Sequence, residues 1–152
     1  MIRKAEEADL LAVVQLLADD QLGSQRENAS SPLDPTYKGA FAQMSQQKGN
    51  DLYVAVENDK VVGCMQLTFI AGLSRKGMTR MQIEGVRISK EVRSSGLGQK
   101  MMEYAINLAK SSHCGLVQLT TDVKRPDAHR FYERLGFEAS HVGMKLNLLK
   151  DR

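Results

Sequence analysis

Val92-Arg93-Ser94-Ser95-Gly96-Leu97-Gly98-Gln99 joins an apolar, β-branched segment before it to a regular helical pattern after it. Leu97, Met101, Ala105 and Leu108 follow at the spacing of an amphipathic helix, so the helix starts at the glycines. A helix start leaves backbone N–H groups without intrahelical partners and carries partial positive charge, and glycine adds no Cβ to hold a ligand away. The stretch therefore reads either as an anion site suited to a phosphate or pyrophosphate, or as a tight strand-to-helix turn and nothing more.

The strand leading into this turn carries the second signal. Its apolar residues fall at Met81 and Ile83, then at Val86 and Ile88, so the alternation slips by one residue at Glu84-Gly85. A slip with a glycine inside it predicts a β-bulge, which interrupts the hydrogen-bond ladder and re-aims a side chain. Here the side chain beside it is a carboxylate.

Downstream, the helix extends from Gly96 to about Ser112, and Leu116–Thr121 reads as a short apolar strand. Strand, helix and strand in this order predict a right-handed parallel crossover. Pro126 then opens a helix with Ala128, Phe131, Tyr132 and Leu135 on one stripe, and Gly136 is placed to stop it with Phe137 supplying a capping contact. Met144 to Leu149 is expected to be a final strand. Upstream, Met1 to Ala5 reads as a first strand, and Leu10, Val13, Val14 and Leu17 as a helix ending near Gly23. Ser24 to Leu33 is expected to be a loop, Asp34-Pro35 starts a helix that Gly49 closes, and Glu57-Asn58-Asp59-Lys60 joins two strands as a hairpin. Arg75, Lys76 and Arg80 read as a solvated basic tip rather than an acidic-substrate site.

At 152 residues the chain fits one domain, and 21 Lys and Arg against 18 Asp and Glu leave a net +3, too little to argue for nucleic acid or an anionic membrane. Cys64 and Cys114 make no disulfide framework, and no Cys/His cluster suggests a metal. With no apolar leader and no long apolar run, a cytoplasmic protein with no membrane partner is expected.

Taken together, these residues resemble the GNAT superfamily of acyl-CoA-dependent N-acetyltransferases across nearly the whole chain. Arg93 to Gly98 is similar to that superfamily's Gln/Arg-x-x-Gly-x-Gly/Ala turn, and Ala128 with Phe131-Tyr132-Glu133-Arg134-Leu135-Gly136-Phe137 to its second signature. The resemblance implies one N-acetyltransferase domain over 1–152. Its α/β fold would be a mixed, mostly antiparallel sheet of six or seven strands, splayed between strands 4 and 5 and flanked by about four helices. It implies acetyl-CoA as co-substrate, with Val86, Arg87 and Ile88 along the pantetheine arm. Arg93, Ser94, Ser95, Gly96, Leu97, Gly98 and Gln99 would lie around the pyrophosphate, held chiefly by backbone amides. Ser95 replaces a basic residue common before the first glycine. Arg125 stands where many relatives have an Asn that bonds the cofactor. A homodimer is the family's common state.

Acetyl transfer to an amine requires a neutral amine, a stabilised oxyanion and a proton for the departing thiolate. Glu84 is the first candidate for base and Asp122, beyond the fifth strand, the second. The N–H of Val86 is the candidate oxyanion donor, and Tyr132 the candidate acid. The expected activity is direct acetyl transfer to a primary amine on a small molecule or peptide, without metal. The alternative is a non-catalytic acyl-CoA-binding or interaction module of the same fold.

Overall fold

The computed structural model describes residues 1–149. These fall into two compact units, the first from Met1 to Gln118 and the second from Leu119 onward.

The first unit is built on a sheet in the order β1 (Ile2–Lys4), β2 (Asn50–Glu57), β3 (Lys60–Ile70), β4 (Arg80–Ile88), β5 (Leu116–Leu119). The first four strands are antiparallel neighbours. Asn58 and Asp59, at φ 50° and 60°, make the two-residue hairpin between β2 and β3. These are residue types that tolerate the left-handed region, as a type I′ turn demands. β5 lies beside β4. The N–H of Gly115 donates to Thr79 O at 3.0 Å, and the Gln118 side chain bonds Gln82 at 2.6 Å, so the two strands start level and run the same way. Because β5 has four residues against nine in β4, the half of β4 from Glu84 to Ile88 has no strand on that edge among the described residues.

Helix α1 (Leu10–Ala18) covers one face of this sheet, where Val13 and Leu16 pack with Val54 and Cys64. On the opposite face Met65, Leu67, Met81 and Ile83 are fully buried, as are Met101, Met102 and Ala105 of α5 (Leu97–Ser111). Tyr53 and Tyr104 meet there with ring centroids 5.7 Å apart. Each fully buried aliphatic side chain contributes roughly 1.5–3 kcal/mol relative to exposure, so this layer anchors β4.

Three expectations are corrected. Gly23 ends no helix: it lies within α2 (Gln21–Arg26), capped by Asp20, whose Oδ1 accepts from Gly23 N at 2.6 Å. A Cβ at Gly23 would fall 1.9 Å from Leu17 O, so the glycine is there for close approach. The irregular segment accordingly begins after Arg26, before α3 (Pro35–Gln46). The described residues hold five strands rather than six or seven, and Met144 to Leu149 forms none. Met144, Leu146 and Leu148 are more than four-fifths exposed. A strand needs a neighbouring ladder for its backbone groups, and among the described residues the second unit has no strand after Leu119. The helices among the described residues number six rather than about four, because α2 and the single turn α4 (Ser74–Gly77) join α1, α3, α5 and α6 (Pro126–Arg134); two 3-10 turns add to them.

Candidate functional site

Gln66 of β3 pairs with Glu84 of β4, but the next aligned pair is Cys64 with Arg87. Gly85 and Val86 thus oppose the single residue Met65, which is the predicted bulge. Gly85 sits at φ +60°, a conformation that L side chains rarely adopt. The Cys64 thiol donates to Gly85 O at 3.5 Å, and Leu17 at the end of α1 would touch a Cβ there at 3.8 Å. Burial pushes the Cys64 thiol up to about 12, so it stays protonated at neutral pH and braces the bulge rather than acting as a nucleophile. Glu84 is exposed, and Val86, Arg87 and Ile88 are half-buried along the free edge of β4. The Val86 carbonyl accepts from its neighbour's Arg87 Nη1 at 2.9 Å.

Beyond β4, Ser89 caps a 3-10 turn, Lys90–Val92, whose flanks are tied down by Lys60–Glu91 and Lys90–Asp19 ion pairs at 2.8 and 3.3 Å. Arg93 is extended, Ser94 is left-handed at φ 67°, and Ser95 N–H closes onto Val92 O at 3.3 Å. Gly96, at φ +86°, is the N-cap of the 15-residue α5. A glycine has no side chain to cap the helix, and the first intrahelical bond is Lys100 N–H to Gly96 O at 3.1 Å. The N–H groups of Leu97, Gly98 and Gln99 therefore precede the helical ladder. Leu97 is buried and pins the turn to the core, while a Cβ on Gly96 would meet nothing within 4 Å. An anchored helix start with forward amides and open space before its glycine fits a phosphate or pyrophosphate group.

Sequence reasoning missed a row of polar side chains on the same sheet face as Glu84. The register puts Gln66 opposite Glu84, Thr68 opposite Gln82 and Ile70 opposite Arg80. Asn50 Oδ1 accepts from Gln66 Nε2 at 2.8 Å and from Thr68 Oγ1 at 3.2 Å. Gln118 Nε2 donates to Gln82 Oε1 at 2.6 Å, and Arg80 Nη1 donates to Gln118 Oε1 at 3.2 Å. Polar residues alternating with apolar ones in β3 and β4 were the available signal. Their joining into one row depends on register, which no single strand records.

The second unit holds Arg125 at the N-cap of α6 and Tyr132 in its last turns. The helix ends in a Schellman cap: Phe137 N–H donates to Tyr132 O at 3.1 Å, Gly136 N–H to Glu133 O at 3.0 Å, and Gly136 adopts φ +97°. Tyr132 is half-buried between the rings of Phe131 and Phe137, at centroid distances of 5.2 and 5.9 Å. His129 is on the helix surface, 2.8 Å from Glu133. Asp122 Oδ1 accepts from Lys124 N–H at 2.9 Å. No group of three or more His, Cys, Asp or Glu among the described residues is arranged to hold a metal.

Residues 12–137 match the Acetyltransferase (GNAT) family, and the chain belongs to it. It is 28% identical over 149 residues to a glucosamine 6-phosphate N-acetyltransferase of Trypanosoma brucei brucei, covering 97% of this chain and 95% of that protein. It is 31% identical over 88 residues to an aminoalkylphosphonate N-acetyltransferase of Salmonella typhimurium, a match spanning 58% of this chain and 56% of that one. Among solved structures, a protein of Bacillus halodurans C-125 described as a transcriptional regulator superposes with a TM-score of 0.94 at 46% identity, over 97% of this chain and 99% of that one.

Proposed function

We propose that the protein is an N-acetyltransferase that moves the acetyl group of acetyl-CoA directly to a primary amine. The carrying observation is the continuity of one half-strand: Glu84 at the bulge, the free edge Val86 to Ile88, then the Gly96 turn with its forward amides. The amides of Leu97, Gly98 and Gln99 hold the pyrophosphate, and the backbone of Val86 and Ile88 receives the pantetheine arm in the manner of an added strand. Arg87, Arg93, Ser94, Ser95 and Arg125 supply the remaining cofactor contacts. Family membership across residues 12–137 spans both units, which supports reading 1–152 as one acetyltransferase domain.

In this reading the amine nitrogen forms a bond to the thioester carbonyl carbon, and its surplus proton passes to Glu84 directly or through a water. The oxygen gains negative charge beside the Val86 N–H. As the carbon–sulfur bond breaks, the thiolate takes a proton from Tyr132, a role assigned by the helix motif. Turnover is read as free thiol released from acetyl-CoA in the presence of a panel of primary amines. Acetylation of at least one amine at rates of about 1 per second or above, within the ordinary range for enzymes, is the expected result.

A second reading is favoured by the 46% identity to the protein described as a transcriptional regulator: a non-catalytic acyl-CoA-binding or interaction module. It predicts acetyl-CoA binding with no thiol release on any amine. Neither reading calls for a metal, nucleic acid or membrane. The sites of action proposed are the cytoplasm and, for assembly, a homodimer.

A further inference from the structure

Arg80, Gln82 and Glu84 project from β4 to the same side of the sheet, flanked by Gln66 and Thr68 of β3 and Gln118 of β5. α1 packs on the Val54–Cys64 part of this face, and the polar row continues along the strands beyond it. An open sheet face that serves only solubility needs no cross-linking. Here Gln66 and Thr68 both donate to Asn50, Gln118 bridges Arg80 and Gln82, and all six are half-buried. The result is a fixed floor of amide and hydroxyl groups rather than mobile surface side chains.

The two ends of this floor carry opposite charge. Glu84 stands at the bulge end. Arg80, expected from the sequence to belong to a solvated tip, stands half-buried in β4 at the other, four strand residues or about 13 Å away along the backbone. Arg80 donates to the neutral Gln118 carbonyl oxygen, and no carboxylate among the described residues pairs with it. A guanidinium with one neutral partner retains donors in a planar fork that matches carboxylate and phosphate oxygens. The turn joining β3 to β4 adds Arg75 and Lys76 at the same end. A shallow cleft between α3 and β2, lined by Phe41, Met44 and Leu52, meets the floor at Asn50.

We propose that this floor binds the acceptor, and that the acceptor is a polar primary amine bearing an anionic group, a carboxylate or phosphate ester, with its amine at Glu84 and its anion at Arg80. The inference rests on the acetyltransferase reading and adds the acceptor class and a specificity residue. Gln66, Thr68 and Gln82 face the middle of such a molecule and suit hydroxyl or carbonyl groups there. Arg80 touches no reacting atom. It selects by charge.

The test uses pairs of primary amines that differ only in a hydroxyl against a phosphate ester or carboxylate several bonds from the nitrogen. For the wild type, kcat/KM is expected to favour the anionic member by about 10- to 100-fold, expressed in KM more than in kcat. In Arg80→Gln, which keeps amide hydrogen bonding towards Gln118, that ratio should collapse towards one, and Arg80→Lys should restore part of it. A merely structural role would lower both members together and leave the ratio unmoved, which overturns the inference, as does a wild type with no preference. Equilibrium binding of the same amines, followed by titration without acetyl-CoA, separates the two claims. Arg80-dependent binding of the anionic member without thiol release overturns the catalytic reading and keeps the anionic site; thiol release without charge preference does the opposite.

Discussion

Glu84 faces Gln66 across the last regular pair of β4 and β3 before the ladder breaks at Gly85 and Val86. A neutral amide stands opposite the carboxylate, and no cation among the described residues is paired with it.

The Glu84→Gln enzyme should lose about 10²- to 10⁴-fold in turnover near neutral pH, the usual contribution of a positioned base. The deficit should shrink as pH rises towards the pKa of the acceptor amine, about 10 for a lysine-like amine, because the nucleophile then deprotonates unaided. Acetyl-CoA affinity should stay within about twofold, since the phosphate-facing amides lie on α5. Rate profiles of parallel shape for the two enzymes would move the role to Asp122.

Gly96→Val should weaken acetyl-CoA binding by an order of magnitude or more. Its φ of +86° costs a side-chain-bearing residue roughly 1–2 kcal/mol, and the new side chain would project into the space before the amides. Ser94→Ala should be mild, because Ser94 already carries a Cβ at φ 67°. Titration of acetyl-CoA into both variants gives the order of effects, and the reverse order would overturn the backbone cradle.

The bulge was legible in the sequence because one glycine coincided with a one-residue phase slip, two independent signs of the same geometry. Gly23 was misread because a glycine that ends a helix and one that admits a neighbouring carbonyl look alike along the chain; the Leu17 oxygen that distinguishes them belongs to another helix. The alternation from Met144 to Leu149 recorded strand propensity, but a strand also requires a partner edge, and no local pattern supplies one. The same limit hid the polar floor, since Asn50, Gln66, Gln82 and Gln118 lie on four different strands.

Two glycine substitutions should move stability in opposite directions. Gly23→Ala drives a Cβ into Leu17 O, a backbone atom that cannot step aside, and should cost about 1–3 kcal/mol or more. At roughly 2–4 °C per kcal/mol for a chain of this size, Tm should fall by several degrees. Gly39→Ala, inside α3 with nothing within 4 Å of the new Cβ, should gain about 0.5–1 kcal/mol from helix propensity. Thermal unfolding of the two variants side by side checks both signs.

Cys64 and Cys114 should differ in reactivity. Cys64 is buried with its thiol pushed up to about 12, whereas Cys114 is half-buried and raised less by its partial burial. A thiol-directed reagent at neutral pH should modify the native protein at Cys114 well before Cys64, with both equal after denaturation. Cys64→Ala should therefore leave the reaction without a missing nucleophile: turnover should persist, with a loss of about 1–2 kcal/mol in stability from the vacated volume by the bulge. Abolished turnover in a folded Cys64→Ala protein would argue for acyl transfer through cysteine.

Asp9 contributes to the acid limb of stability of the first unit. Its carboxylate accepts from Arg3 at 2.8 and 3.1 Å and from Glu6 N–H at 2.7 Å. The Arg3 hydrogen bonds hold the carboxyl below its ordinary value of 3.8, against the opposing effect of burial. A depressed folded-state pKa means the stabilisation is fully present above the unfolded carboxyl's pKa, and it is lost as pH falls through the folded value. Urea midpoints measured near neutral pH and again below about pH 3 should drop steeply for the wild type across that window. Asp9→Asn, whose amide has no proton to gain there, should start from a lower midpoint at neutral pH and show a shallower drop. Equal slopes for the two proteins would assign the acid limb to other carboxylates.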